Sequence, residues 1–260
     1  MLNIDKFLRQ GKTHQVCQDY IETSDWYVVL ADGCSSAKNS EIGAMILCRE
    51  AMNVLEQWKD SLEKLDYNEF GKNVIFNAWK SALVLNVPEE CLNTTLLVAY
   101  KFNDHIFVHV YGDGLIITKQ TNGNITCTEV SFTKNTPFYL SYLLSPEAFK
   151  SYPKEYRKIV TEHHFDILDA EETLFPNDKV TYGYFIENYE SILIASDGMT
   201  NWTHNPDMGK VAKDMVNFAQ PQGAYLQRCM NFLIRGYEKS GYYEDDIAVG
   251  GFLNLDTWRR

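Results

Sequence analysis

The chain has 260 residues, 45% of them hydrophobic, enough to bury a full core, and we read it as one domain, 1–260. A net charge of -11 and a pI near 5.0 argue against nucleic acid as a partner, because a phosphate backbone calls for a Lys/Arg surface; they suit a protein that holds cations. Six scattered cysteines, with no Cys-x-x-Cys pair among them, point to reduced thiols and give neither a zinc knuckle nor a redox pair.

Met1 to Lys6 lacks the basic start and apolar stretch of a signal peptide, and no apolar run approaches the roughly 18 residues of a membrane span. The expectation is a soluble cytoplasmic protein without a membrane partner. Residues 1–20 read as an edge segment leading through Gly11-Lys12-Thr13-His14 to Gln18-Asp19-Tyr20. The apolar run Tyr27-Val28-Val29-Leu30-Ala31 then delivers Asp32 onto Gly33, and an apolar strand that ends in a carboxylate on a glycine turn builds a site. Ser40 is expected to cap a helix from about Glu41 to Trp58, with Ala44, Leu47, Cys48, Ala51 and Leu55 on its buried face. Phe70, Val74, Ala78, Ala82 and Leu85 mark a second helix, which Pro88 ends.

Thr94 to Tyr100, His105 to Tyr111, Leu115 to Lys119 and Ile125 to Val130 are β-prone runs divided by turn residues, an antiparallel meander of hairpins. Residues 131–158 show little periodicity and read as a long loop or short helical excursion, the kind of segment that often carries function. Strands resume at Ile159 to Leu168, Val180 to Ile186 and Ser191 to Ala195. Two helices follow, near Met208 to Phe218 and Gly223 to Glu238, and a strand at Asp246 to Leu253 closes the chain. Helices in pairs and strands in hairpins do not fit a parallel βαβ sheet. They fit an α+β layered sandwich of antiparallel sheets with helix pairs outside.

The device at Asp32 recurs. Ile192 to Ala195 ends in Ser196-Asp197-Gly198, Ile106 to Tyr111 ends in Gly112-Asp113-Gly114, and Asp245-Asp246 opens Ile247-Ala248-Val249. These acids share one rim if the last strand runs antiparallel to its neighbours, and with Asp19 they make five. Two charges about 4 Å apart cost on the order of 4 kcal/mol at an effective dielectric near 20, so a bare cluster would strain a marginally stable domain. Divalent cations remove the cost. Oxygen ligands without a thiolate or paired imidazole select Mg²⁺ or Mn²⁺ over zinc, and two such ions can hold a bridging hydroxide for in-line attack on a phosphoryl group.

The ordered set resembles the PP2C-type, metal-dependent serine/threonine phosphatases. Gln18-Asp19 looks like the first acidic motif and Ala31-Asp32-Gly33 like the second. Gly112-Asp113-Gly114 resembles the Gly-Asp-Ser motif, Ser196-Asp197-Gly198 the third Asp-Gly motif, and Asp245-Asp246-Ile247-Ala248-Val249 the closing segment. Asp32-Gly33-Cys34-Ser35-Ser36 with Ser40-Glu41-Ile42-Gly43 looks most like a bacterial branch. The resemblance covers nearly the whole chain. It implies two antiparallel sheets packed as a sandwich and flanked by helix pairs, a four-layer αββα fold, with a flap-like insert at about 131–180 beside the substrate.

It also implies roles. Asp32 would bridge two metals, the Gly33 carbonyl would bind the second, and Asp197 and Asp245 would complete the first. Asp19 would be a ligand or orient a water, and Asp113 would serve a weaker third ion. His14 stands where the family usually has a phosphate-gripping arginine, with Lys12 or Arg9 as substitutes; Gln18 replaces a glutamate, and Asn201 an aspartate tied to the third ion. The function implied is hydrolysis of phosphoserine and phosphothreonine in a phosphoprotein, opposite a Ser/Thr kinase, by a monomer. The departures motivate a second reading, a pseudophosphatase that binds a phosphoprotein or kinase without turnover. A haloacid-dehalogenase mechanism needs an aspartate two positions after Asp32, where Cys34 stands.

Overall fold

The structure, a computed structural model, describes residues 1–61, 64–164, 169–201, 208–238, 241 and 243–258. The first strands are β1 (Leu2–Arg9), β2 (Asp19–Thr23) and β3 (Tyr27–Asp32), followed by helices α1 (Ser40–Trp58) and α2 (Tyr67–Leu85). Four strands come next, β4 (Leu96–Phe102), β5 (His105–Tyr111), β6 (Gly114–Gln120) and β7 (Ile125–Phe132), and then the short helix α3 (Pro146–Ser151). The rest is β8 (Lys158–His164), β9 (Ala170–Leu174), β10 (Val180–Phe185), β11 (Tyr189–Ala195), α4 (Met208–Met215), α5 (Tyr225–Tyr237) and β12 (Ile247–Asn254).

Two antiparallel sheets form, a seven-stranded one in the order β1-β12-β11-β6-β7-β8-β9 and a five-stranded one in the order β10-β5-β4-β3-β2. The pleat sorts the apolar run of β3 into two layers. Val28 and Leu30 face the other sheet, where they meet Ile116, Ile194, Ala248 and Phe252. Tyr27, Val29 and Ala31 face outward under α1 and α2. On the opposite side Leu115, Ile117, Leu193 and Val249 lie under α4 and α5. Strands covered on both faces read as continuous apolar runs, as these do. The expected helix–sheet–sheet–helix sandwich is therefore the fold.

Several local expectations change. The meander divides, because β4 and β5 pair in the five-stranded sheet whereas β6 and β7 belong to the other. Gly112 and Gly114 make the switch with φ of +95° and +137°, a region that side chains disfavour, and so leave Asp113 at the crossing. Ser40 is not the cap of α1. Asn39 takes that place in a left-handed conformation without a side-chain bond, and Ser40 is buried inside the first turn, where its hydroxyl accepts from the Gln18 amide at 2.8 Å. α2 has an ordinary start, with Asp66 accepting from the Glu69 N–H at 2.9 Å, and an Asn86 stop at φ 54°. The segment 1–20, read as one edge segment, divides into β1 and the start of β2, and β9 was not anticipated. The last four residues expected in β8, 165–168, lie outside the described residues. All six cysteines are free, and no described helix is long and apolar enough to cross a membrane.

Candidate metal centre

Strand pairing brings the acids to one rim. Asp19 opens β2 directly opposite Asp32, the last residue of β3. Asp197 follows β11, and Asp245 and Asp246 precede β12, which runs antiparallel to it. Asp113 joins them from the sheet switch. The backbone beneath is tightly tied: the Asp32 carbonyl accepts from Thr95 N–H at 2.8 Å and from the Thr94 hydroxyl, and Gly33 N–H donates to the Gln18 carbonyl at 3.1 Å.

Asp19 is 4% exposed and Asp113 is 7% exposed, so neither charge is solvated. Burial pushes the carboxyls of Asp19, Asp32, Asp113 and Asp197 above the usual carboxylate range. Charge adds to it. Asp19 and Asp197 act on Asp32, Asp197 acts on Asp113, and Asp245 acts on Asp197 and on Asp113. Asp32, when it carries a proton, stands within hydrogen-bonding reach of both Asp19 and Asp197. The five carboxylates therefore form one electrostatic unit.

One oxygen of Asp19 is fixed. Ser196 Oγ donates to Oδ2 at 2.7 Å while itself accepting from Ala248 N–H at 3.0 Å. The other oxygen, Oδ1, is buried with no hydrogen-bond partner. An orphaned carboxylate oxygen in an all-oxygen cluster is a costly arrangement unless a cation meets it, so the residues fit a hard divalent ion.

Asp246, absent from the expected ligand set, is 1% exposed and holds the entrance loop. Its Oδ1 accepts from Gly11 N–H at 2.6 Å and its Oδ2 from Gln18 N–H. His14 lies between the two adjacent acids, Nδ1 3.0 Å from Asp246 Oδ2 but outside hydrogen-bond geometry, and Nε2 3.5 Å from Asp245 Oδ1. Asn201 lies at the same acid, its amide 3.4 Å from Asp245 Oδ2. Replacing Asp246 by alanine strands two backbone donors at about 1–3 kcal/mol each, and a denaturant titration should show that loss. Gly198 is packed against the same residue, since a Cβ there would lie 1.8 Å from the Asp246 carbonyl oxygen. Gly198→Ala should cost about 1–3 kcal/mol or more, visible as a lower urea midpoint with an unchanged slope.

Two neighbours escape a reading of the sequence. Tyr139, from the segment after β7, is 7% exposed, is hydrogen-bonded with Cys34 and lies within electrostatic reach of Asp113 and Asp32; burial pushes its phenol well up. Burial also raises the Cys34 thiol, but bonds from Ser36 and Tyr139 outweigh it and the net shift is downward. Nothing in a Pro- and Tyr-rich stretch marks Tyr139 beforehand. Ser196 was visible as part of an Asp-Gly motif, though not as the residue that fixes Asp19. His109 proves structural: buried between Thr181 and Tyr100, it is lowered to about 4 by desolvation.

A family model described as Protein phosphatase 2C matches residues 9–233. No curated protein matches the sequence. Among solved structures, the serine/threonine phosphatase PstP/Ppp of Mycobacterium tuberculosis is similar at 15% identity and TM-score 0.57, covering 97% of this chain and 98% of that one. The catalytic domain of PstP in complex with two manganese ions gives 14% and 0.56, with 97% of each chain covered. Stp1 from Staphylococcus aureus gives 14% and 0.58, covering 98% of this chain and 95% of that one.

Proposed function

Because the chain belongs to the protein phosphatase 2C family, we propose that it is a metal-dependent phosphoprotein phosphatase that hydrolyses phosphoserine and phosphothreonine. The observation that carries this reading is the orphaned Oδ1 of Asp19 inside a cluster of five interacting aspartates. Asp19, Asp32, the Gly33 carbonyl, Asp197 and Asp245 would hold two Mn²⁺ or Mg²⁺ ions, and Asp113 a weaker third. Such ions supply a nucleophile at neutral pH and neutralise phosphoryl charge.

The chain's own residues position the rest. Ser196 locks Asp19 in one rotamer, so that its free oxygen faces the rim. Asp246 secures the loop that carries His14 and keeps the imidazole beside Asp245. From there an Nε2 proton can reach a phosphoryl oxygen, in place of the missing arginine fork. Tyr139, hydrogen-bonded with Cys34, lies within electrostatic reach of Asp113 and Asp32 on the flank of the rim. We read 1–260 as one phosphatase domain, with 131–180 as its substrate-facing flap, acting as a monomer opposite a Ser/Thr kinase. Retention of Asp19, Asp32, Asp113, Asp197 and Asp245 favours turnover over a binding module.

The test is hydrolysis of an aryl phosphate and a phosphothreonine peptide with and without Mn²⁺. Turnover should require the ion, and equal rates in chelator and in Mn²⁺ would end the proposal.

A further inference from the structure

Gly112, the residue before Asp113, also lines a separate cavity of about 290 Å³ between α2 and the segment that follows β7. Phe138 and Leu140 form apolar walls, and the charged groups on the lining are Lys72 and Lys158, with no carboxylate among the described lining residues. That is unusual beside an acidic rim in a chain of net charge -11. Lys158 is 2% exposed. A cation buried to this degree is ordinarily ion-paired. Here Nζ donates to the Asp178 backbone carbonyl and lies 5.7 Å from the centroid of the Phe132 ring. The Asp178 carboxylate forms no ion pair with Nζ, and its Oδ2 accepts from Phe175 N–H at 2.8 Å. Desolvation lowers the Lys158 ammonium to about 8, against the opposing pull of Asp178. Lys72 stands exposed on the second turn of α2 and adds a second ammonium.

We propose that this cavity is an anion subsite in which Lys158 and Lys72 receive a second negatively charged side chain of the phosphoprotein while the phosphate to be removed sits at the aspartate rim. The proposal rests on the phosphatase reading and deepens it. The substrate class is then a phosphoserine or phosphothreonine flanked by glutamate, aspartate or another phosphorylated residue. Consecutive Cα atoms are about 3.8 Å apart, so a lining that includes Gly112 stays within a few peptide residues of Asp113. Apolar walls around an ammonium strengthen its hold on an anion, because little water competes.

Four substrates separate the possibilities: an aryl phosphate, a phosphothreonine peptide with neutral flanks, the same peptide with flanking glutamates, and the same peptide with a second phosphothreonine. With Mn²⁺ at pH 7, the protein should show a KM about tenfold lower for the charged peptides than for the neutral one. The glutamate and diphospho arms decide which anion is preferred. Lys158→Met and Lys72→Glu should each erase the difference through KM, leave kcat unchanged and leave aryl phosphate turnover intact. Should Lys158→Met fail to fold, Lys72→Glu on the exposed wall carries the test alone.

Equal KM for neutral and charged peptides overturns the subsite while the phosphatase reading stands. Absence of turnover on all four substrates overturns the phosphatase reading instead. The subsite is then judged by fluorescence anisotropy of the labelled charged peptides, where weaker binding to Lys72→Glu supports it and equal binding rejects it.

Discussion

Asp32→Asn should lower Mn²⁺-dependent hydrolysis of a phosphothreonine peptide by at least about 10³-fold, without lowering the melting temperature of the metal-free protein. The two readouts move apart for one reason. Asp32 is buried among the charges of Asp19, Asp197 and Asp113 and, when it carries a proton, stands within hydrogen-bonding reach of Asp197. An asparagine amide can still donate to Asp197, so the metal-free fold keeps that bond and no longer has to hold a proton on a buried carboxyl. A bound ion, in contrast, would lose an anionic ligand. Steady-state kinetics in Mn²⁺ and thermal melts in chelator measure both. Wild-type activity in the variant would remove Asp32 from the chemistry, and a metal-free melt lowered by many degrees would make it a structural residue.

Chelation should reverse the pH dependence of stability. In the metal-free protein, Asp19, Asp32, Asp113 and Asp197 hold protons more tightly folded than unfolded, since burial and mutual repulsion raise all four. Their contribution is fully present below the ordinary carboxylate pKa of about 4. It is lost as pH rises through the elevated folded values, so metal-free stability should fall from acid toward neutral pH. Ion binding requires deprotonated carboxylates and releases protons, so Mn²⁺ should stabilise increasingly over that same climb. At 100 times Kd each site contributes about 2.7 kcal/mol, and in large domains about 2–4 °C accompanies each kcal/mol. Two filled sites should therefore raise the melting temperature by roughly 10–20 °C at pH 7. Parallel pH profiles with and without Mn²⁺ would show that the acids do not meet a cation.

Asp32, Asp113, Asp197 and Asp245 could be found in the sequence because each interrupts an apolar run at a strand end, and apolar runs are the most readable feature of a doubly covered sheet. The same physics made the layers legible: β3, β11 and β12 are apolar at nearly every position because both faces are buried. What stayed hidden depended on contacts far apart in the chain. That β5 and β6 part into different sheets follows from two glycine torsions, which a Gly-Asp-Gly string does not distinguish from a hairpin turn. Ser40 looked like a cap because its chemistry suits one, but Gln18 claimed its hydroxyl. Asp246 looked like half of a motif, and only the folded chain reveals that it grips Gly11 and Gln18. Tyr139 and Lys158 belong to a stretch without periodicity, where nothing local tells a buried side chain from a surface one.

Among the described strands β1 pairs with β12 alone, with Leu2 opposite Asn254 and Arg9 opposite Ile247. The two strands lie far apart in the chain, a pairing of very high contact order that folds slowly and leaves an edge open meanwhile. Asp245 and Asp246 arrive just ahead of β12, so a nascent polypeptide stalled before them has neither the final acid of the rim nor the anchor for the His14 loop. Rim and anchor are thus completed only with this strand, and a chain that stops before Asp245 should bind no divalent ion at the rim.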